Sequence, residues 1–320
     1  MSLIEQAAKR LEQLRQAGVE LPGEDLLGDV APKNAIPTRH DAREIHKASP
    51  PASEPRAMNA DPVGTSASAA PVITSKKVDI DLEAIAAAGF LIPNATRSML
   101  ADEYRVIKRP LIANAMGKGV PRLNNGNLIM VTSALPGEGK SFSAINLAIS
   151  IAMEMDNTVM LVDADVARPS VLNMLGLPPA RGLLDVVNQD SVDISDVLLR
   201  TNIEKLSILP SGTQHPRATE LLASEAMVRL LDDMAARYPD RIIVFDSPPL
   251  LLTTESRALA THMGQVVMVV HAGQTAQAAV KEAVHTIEAC PVKMMILNQS
   301  REAASEGYGY GFNYGYGQNA

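Results

Sequence analysis

The spacing of apolar positions changes several times along this chain, and each change predicts an element. From Leu128 onward, short apolar runs alternate with segments whose apolar positions recur every three or four residues. The runs predict strands at Leu128–Ser133, Thr158–Asp163, Leu206–Pro210, Ile242–Asp246, Val266–His271 and Val292–Asn298. The periodic segments predict helices at Ser141–Met153, Ser195–Leu199, Thr219–Tyr238, Glu255–His262 and Thr275–Ala289. Most of these strands are apolar on both faces, which is what a sheet covered by helices on both sides requires. The fold class is therefore α/β with a mainly parallel central sheet, and ligands are expected at the carboxyl ends of its strands.

Ahead of Leu128 the pattern is more varied. Asp81 to Ala88 predicts a short Ala-rich helix ended by Gly89. A longer one starts near Thr96, with Leu100, Tyr104, Ile107 and Leu111 on one face and Asp102, Arg105 and Lys108 on the other. Pro110 is expected to kink or divide it. Residues 2–17 predict an amphipathic helix, with Ser2 and Glu5 as a capping box and Ile4, Ala7, Leu11 and Leu14 along one stripe. Between these lies a stretch broken by Pro22, Pro32, Pro37, Pro50, Pro51, Pro55, Pro62 and Pro71, with no aromatic residue before Phe90. Such a segment has too little apolar surface to offset its ordering entropy. The organisation expected is a helix at 1–18, a disordered linker at 19–78, a folded domain at 79–300 and a tail at 301–320.

Composition narrows the possible functions. The 320 residues carry a formal charge of −7, which argues against a general nucleic-acid binder. Cys290 is the single cysteine, so no disulfide framework exists and a reducing compartment is expected. No run approaches the ~18 apolar residues of a membrane span, and residues 1–18 are no secretory signal. A cytoplasmic protein is expected, with any membrane association made through a partner.

The candidate chemistry lies where the first predicted strand ends. Ala134-Leu135-Pro136-Gly137-Glu138-Gly139-Lys140-Ser141 joins a strand to a helix through a glycine-rich turn. Strand, glycine-rich turn and a helix opening with Lys-Ser form a phosphate-binding loop, although Ala134 stands where the usual pattern has glycine. Glycines let successive N–H groups face phosphate oxygens, and the helix N-terminus adds partial positive charge. The nucleotide-binding stretch is Pro136, Gly137, Glu138, Gly139, Lys140, Ser141 and Phe142. Lys140 would reach the β/γ-phosphates and the Ser141 hydroxyl would bind Mg²⁺. Two further strands end in aspartate, at Asp163-Ala164-Asp165 and at Asp246, where a hard cation on phosphates needs carboxylates. Asp163 and Asp165 offer two different jobs, one on the cation and one on an attacking hydroxyl.

Three motifs resemble the Walker A, A′ and B sequences of bacterial tyrosine autokinases in the ParA/MinD-like P-loop superfamily. They are Ala-Leu-Pro-Gly-Glu-Gly-Lys-Ser from Ala134, Leu-Val-Asp-Ala-Asp-Val-Ala-Arg-Pro from Leu161, and Ile-Val-Phe-Asp-Ser-Pro-Pro from Ile243. The resemblance runs from about Asp102 to the C-terminus, and that family tolerates alanine at the first Walker A position. It implies ATP and Mg²⁺ as cofactors, Lys140 on the phosphates, and Ser141, Asp165 and Asp246 on the metal. Asp163 would accept the tyrosine proton. The triplet Asp102, Arg105, Lys108 resembles the family's Glu-x-x-Arg-x-x-Arg oligomerisation motif, which implies a homo-oligomeric ring. Ala167 stands where many members carry an arginine, with Arg168 next to it. The Tyr-Arg-Val-Ile-Lys-Arg-Pro segment and the amino-terminal arm resemble the subgroup of exopolysaccharide and exosortase A loci. That subgroup implies an inner-membrane polysaccharide chain-length regulator as partner, met through its cytoplasmic part.

The tail fits this expectation. Tyr308, Tyr310, Tyr314 and Tyr316 are spaced by glycines in the last thirteen residues and would be the phosphoacceptors. Their Gly-rich surroundings cannot pack a core, and a flexible chain from Asn298 to Tyr316 would reach about 21–25 Å. The competing expectation is a ParA/MinD-like ATPase that switches a binding partner without phosphorylating tyrosine. That branch normally has lysine where this chain has Leu135.

Overall fold

A computed structural model describes residues 75–93, 98–121, 123–189, 191–237 and 240–300. The amino-terminal helix, nearly all of the linker and the four tail tyrosines expected from the sequence lie outside these residues. Eight strands form one sheet: β1 (Lys76–Lys77), β2 (Leu128–Ser133), β3 (Thr158–Asp163), β4 (Leu199–Arg200), β5 (Leu206–Leu209), β6 (Arg241–Asp246), β7 (Gln265–His271) and β8 (Val292–Asn298). Their order is β1-β4-β5-β3-β6-β2-β7-β8, and every pair is parallel except β4 with β5.

Both faces of the sheet's central strands are covered, and β2 shows why its sequence is apolar throughout. Leu128 and Met130 join one buried cluster with Phe245, Leu231 and Leu259, whereas Ile129 and Val131 join the opposite one with Leu111, Ile145 and Val244. The two-residue period of the strand sends neighbours to opposite cores. Six predicted strands therefore appear within a residue of their expected ends. β1 and β4 do not announce themselves, because two residues are too short for any period. β1 is Lys-Lys, held by backbone pairing to Leu199–Arg200 and by Val78 N–H to the Arg200 carbonyl at 2.8 Å.

Among the described residues, ten helices accompany the strands: α1 (Leu82–Ala87), α2 (Met99–Met116), α3 (Lys140–Ala152), α4 (Val171–Met174), α5 (Leu183–Asn188), α6 (Ile194–Val197), α7 (Ala218–Leu222), α8 (Glu225–Arg237), α9 (Thr254–Ala260) and α10 (Gln277–His285). Two expectations need correction. The helix through Pro110 is not divided, and the carbonyl that proline leaves unpaired belongs to exposed Val106, where water can serve it. The helix expected over Thr219–Tyr238 is two, because the Ser224 hydroxyl bonds the Leu221 carbonyl and accepts from Met227 N–H, ending one helix and opening the next.

Candidate functional site

The site assembles at the carboxyl ends of β2, β3 and β6, which are neighbours although far apart in sequence. Asp163 and Asp246 are register partners on β3 and β6, and Val131 pairs with Asp246. Beyond β2 the loop from Ala134 to Gly139 turns on two left-handed glycines, Gly137 at φ 83° and Gly139 at φ 91°. Side chains are strained at such angles, so the turn needs glycine. Gly139 then caps α3, and Lys140 and Ser141 open it. Ala134 is fully buried in the core, and the loop forms without glycine there.

Lys140 Nζ lies 2.7 Å from Asp165 Oδ2 and 3.6 Å from Asp246 Oδ1. Burial alone would lower the Lys140 pKa, but Asp246, Asp165 and Asp163 together outweigh it and hold the ammonium above its usual value. The second Asp165 oxygen accepts from Arg168 N–H at 3.1 Å. Asp163 Oδ2 accepts from the N–H groups of Ser170 and Val171, each at 3.1 Å, while its Oδ1 is buried without a partner. Burial, reinforced by Asp246, pushes the Asp163 carboxyl up to about 7. Both oxygens of Asp246 are buried without a hydrogen bond, and burial raises that carboxyl to about 6 against the pull of Lys140 and Ser141. Ser170 was not singled out from the sequence, yet its hydroxyl donates to Ser141 Oγ at 2.9 Å and so ties the two loops together.

These shifts predict how the nucleotide-free fold responds to pH. The folded chain holds the Asp163 and Asp246 protons more tightly than an unfolded chain, whose aspartates titrate near ~4. Their stabilising effect is complete below about pH 4 and is lost as pH rises through about 6 and then 7. Thermal melts in chelator should therefore fall between about pH 5 and 8, and Asp246→Asn should flatten the fall. A wild-type melting temperature that rises over this interval would contradict the arrangement.

A cleft of about 710 Å³ opens before the loop, floored by Lys140, Ser141 and Asp165 and walled by Met174, Pro249 and Leu252. Phe142 also lines it, with its ring 5.0 Å from that of Phe90. A second cleft of about 660 Å³ reaches Asp163 from between Leu172 and Thr213. Among the described residues, no three His, Cys, Asp or Glu side chains are grouped to hold a metal alone. The donors fit instead a hard cation that completes its shell with phosphate and water. Ser141 supplies a hydroxyl, and the buried Asp246 oxygens make no hydrogen bond, with only the Lys140 ammonium 3.6 Å from Oδ1.

One expectation about the outer surface changes. Asp102 and Arg105 form an ion pair on the exposed side of α2, but Lys108 does not share their face. Six residues turn a helix by about 240°, so Lys108 points inward. It is 5% exposed, donates to the Ser150 carbonyl at 2.5 Å and pairs with Glu154 at 2.7 Å, holding α2 to the end of α3.

The fold and site define a P-loop nucleotide-binding protein. The AAA domain family profile matches residues 126–299. Tyrosine-protein kinase YwqD of Bacillus subtilis is 31% identical over 199 residues, which are 62% of this chain and 80% of that protein. The succinoglycan biosynthesis transport protein ExoP of Rhizobium meliloti is 30% identical over 199 residues, 61% of this chain but 24% of ExoP. Among solved structures, the VpsO kinase domain superposes with a TM-score of 0.53 at 27% identity, covering 62% of this chain and 96% of that domain. The chain belongs to the bacterial tyrosine-protein kinases.

Proposed function

We propose that this kinase transfers the γ-phosphate of ATP to tyrosines of its own carboxyl-terminal cluster, Tyr308, Tyr310, Tyr314 and Tyr316, and thereby regulates exopolysaccharide assembly or export. The observation that carries the reading is the convergence of Lys140, Asp163, Asp165 and Asp246 around one phosphate loop. Lys140 and the loop amides bind the phosphates and neutralise charge that develops during transfer. Ser141, Asp246 and Asp165 would hold a Mg²⁺, which would supply further charge neutralisation at the phosphates. Asp165 now pairs with Lys140, so engaging the cation requires it to release or share that contact. Asp163 takes the tyrosine proton with its unpartnered Oδ1, and a pKa of about 7 suits a general base near neutral pH. The test is phosphotyrosine on the purified chain with and without ATP and Mg²⁺. ATP hydrolysis with no phosphotyrosine would favour the nucleotide-switched binding reading instead.

The chain is further proposed to assemble into a ring through Asp102 and Arg105, and to meet the cytoplasmic part of an inner-membrane polysaccharide regulator. No helix among the described residues is long and apolar enough to cross a membrane, and this chain spans only a quarter of ExoP, a transport protein. Two substitutions in α2 should part company. Arg105→Glu should lower the mass measured by light scattering while leaving the melting temperature nearly unchanged, because an exposed intrahelical pair is worth under ~1 kcal/mol. Lys108→Met should leave the mass alone and cost about 1–3 kcal/mol, or several degrees of melting temperature. Equal masses for wild type and Arg105→Glu would remove the ring role from this pair.

A further inference from the structure

The phosphate loop is also gripped from a side that its own motif does not reveal. Glu138 is 3% exposed and is absent from the cleft lining. One carboxylate oxygen accepts from Leu135 N–H at 2.7 Å, and the other accepts from the Thr275 hydroxyl. That hydroxyl itself accepts from His271 N–H at 3.2 Å, so its single proton is left for Glu138. From the end of β8, Asn298 Nδ2 donates to the Glu138 carbonyl at 2.9 Å, and Gln299 Nε2 donates to the Gly137 carbonyl at 3.2 Å. A Cβ on Gly139 would lie 2.1 Å from Asn298 Nδ2, so this close approach is open only because residue 139 is glycine.

These contacts have a direction that matters for ligand binding. A peptide unit points its N–H and carbonyl oppositely, so fixing the carbonyls of residues 137 and 138 from the β8 side fixes the following N–H groups toward the other side. Donors set in advance bind an anion without reorganising, which is where most of their value lies. We propose that Thr275 and Asn298 are positioning residues of the nucleotide site, holding the phosphate loop in its binding conformation through Glu138. The inference rests on the reading of this loop as the ATP site. Neither residue belongs to a Walker motif, and neither lines the cleft.

The experiment measures direct binding of a fluorescent ATP analogue with Mg²⁺ to the full chain, below the melting temperature of each variant, beside KM for ATP and kcat for phosphate transfer. Thr275→Val keeps the shape and removes the proton that Glu138 accepts; Thr275→Ser restores it. Thr275→Val is expected to weaken binding and raise KM by roughly tenfold, the consequence of losing one hydrogen bond to a charged group, with kcat within about twofold. Thr275→Ser should bind within about twofold of wild type. Wild-type affinity in the valine variant, or affinity in the serine variant as weak as in the valine one, would overturn the proposal. If Thr275→Val does not fold, Asn298→Ala is read in the same way through the Glu138 carbonyl, and unchanged affinity there is equally fatal. A wild-type chain that binds no nucleotide would instead overturn the ATP-site reading itself.

Discussion

Replacing Lys140 with methionine is expected to abolish phosphotyrosine formation while leaving a folded chain. The methionine keeps much of the side chain's length but removes the charge that sits 2.7 Å from Asp165 and 3.6 Å from Asp246. Loss of one such group aimed at the transferring phosphoryl typically lowers the rate by roughly 10²–10³-fold or more. The buried Asp163 and Asp246 carboxyls already hold their protons more tightly than exposed acids, so the sheet should survive. Circular dichroism establishes folding and an anti-phosphotyrosine blot reads the activity. A folded Lys140→Met chain that labels itself at the wild-type rate would show that the phosphate site lies elsewhere.

Deleting residues 307–320 should remove self-labelling altogether while preserving ATP binding. The loop and its braces end at Gln299, before the deletion begins. The same geometry sets the route of transfer as a question with a definite answer. Asn298 touches the phosphate loop, so the tail is rooted beside the active site, and ten residues to Tyr308 span at most about 36 Å. Its own site and a neighbour's are both within that limit. Transfer between subunits is the expectation, and it is tested by mixing Lys140→Met chains with active chains lacking residues 307–320. Label on the Lys140→Met tail supports transfer between subunits; its absence in mixed oligomers of demonstrated composition refutes it. Each phosphotyrosine adds about −1.5 to −2 charge, so four add roughly −6 to −8 per chain. Within a ring these charges repel, and the phosphorylated protein should be the smaller in solution.

What was legible in the sequence follows from how local the underlying physics is. A strand buried on both faces must be apolar throughout, so β2, β3, β5, β6 and β7 were visible as runs of the right length. β8 was visible as an apolar run as well, although its Lys293, Met295 and Leu297 face is exposed. The phosphate loop was visible because left-handed turns at Gly137 and Gly139 need residues without a Cβ, and because a helix opening on Lys-Ser follows at once. The aspartates were visible as carboxylates at strand ends, a place where this fold class gathers ligands. The short strands were not, since two ladder pairs leave no period to read, and the short helices at 171–174 and 183–188 were not picked out either.

The sequence by itself determined six of the sheet's eight strands, the phosphate loop and the aspartates at the strand ends beside it. Each of these depends on residue type at fixed local spacing. Strand order was decided only in three dimensions. Placing β7 beside β2, with β8 at its far edge, brings Thr275 and Asn298 onto Glu138 across 137 and 160 residues, and no local pattern encodes a contact of that separation. Burial was decided there too. Asp163 and Asp246 owe their raised pKa values to a dry interior shared by two strands, and Lys108 owes its inward role to the helix end it meets. Desolvation depends on everything packed around a group, so only the assembled fold determines it.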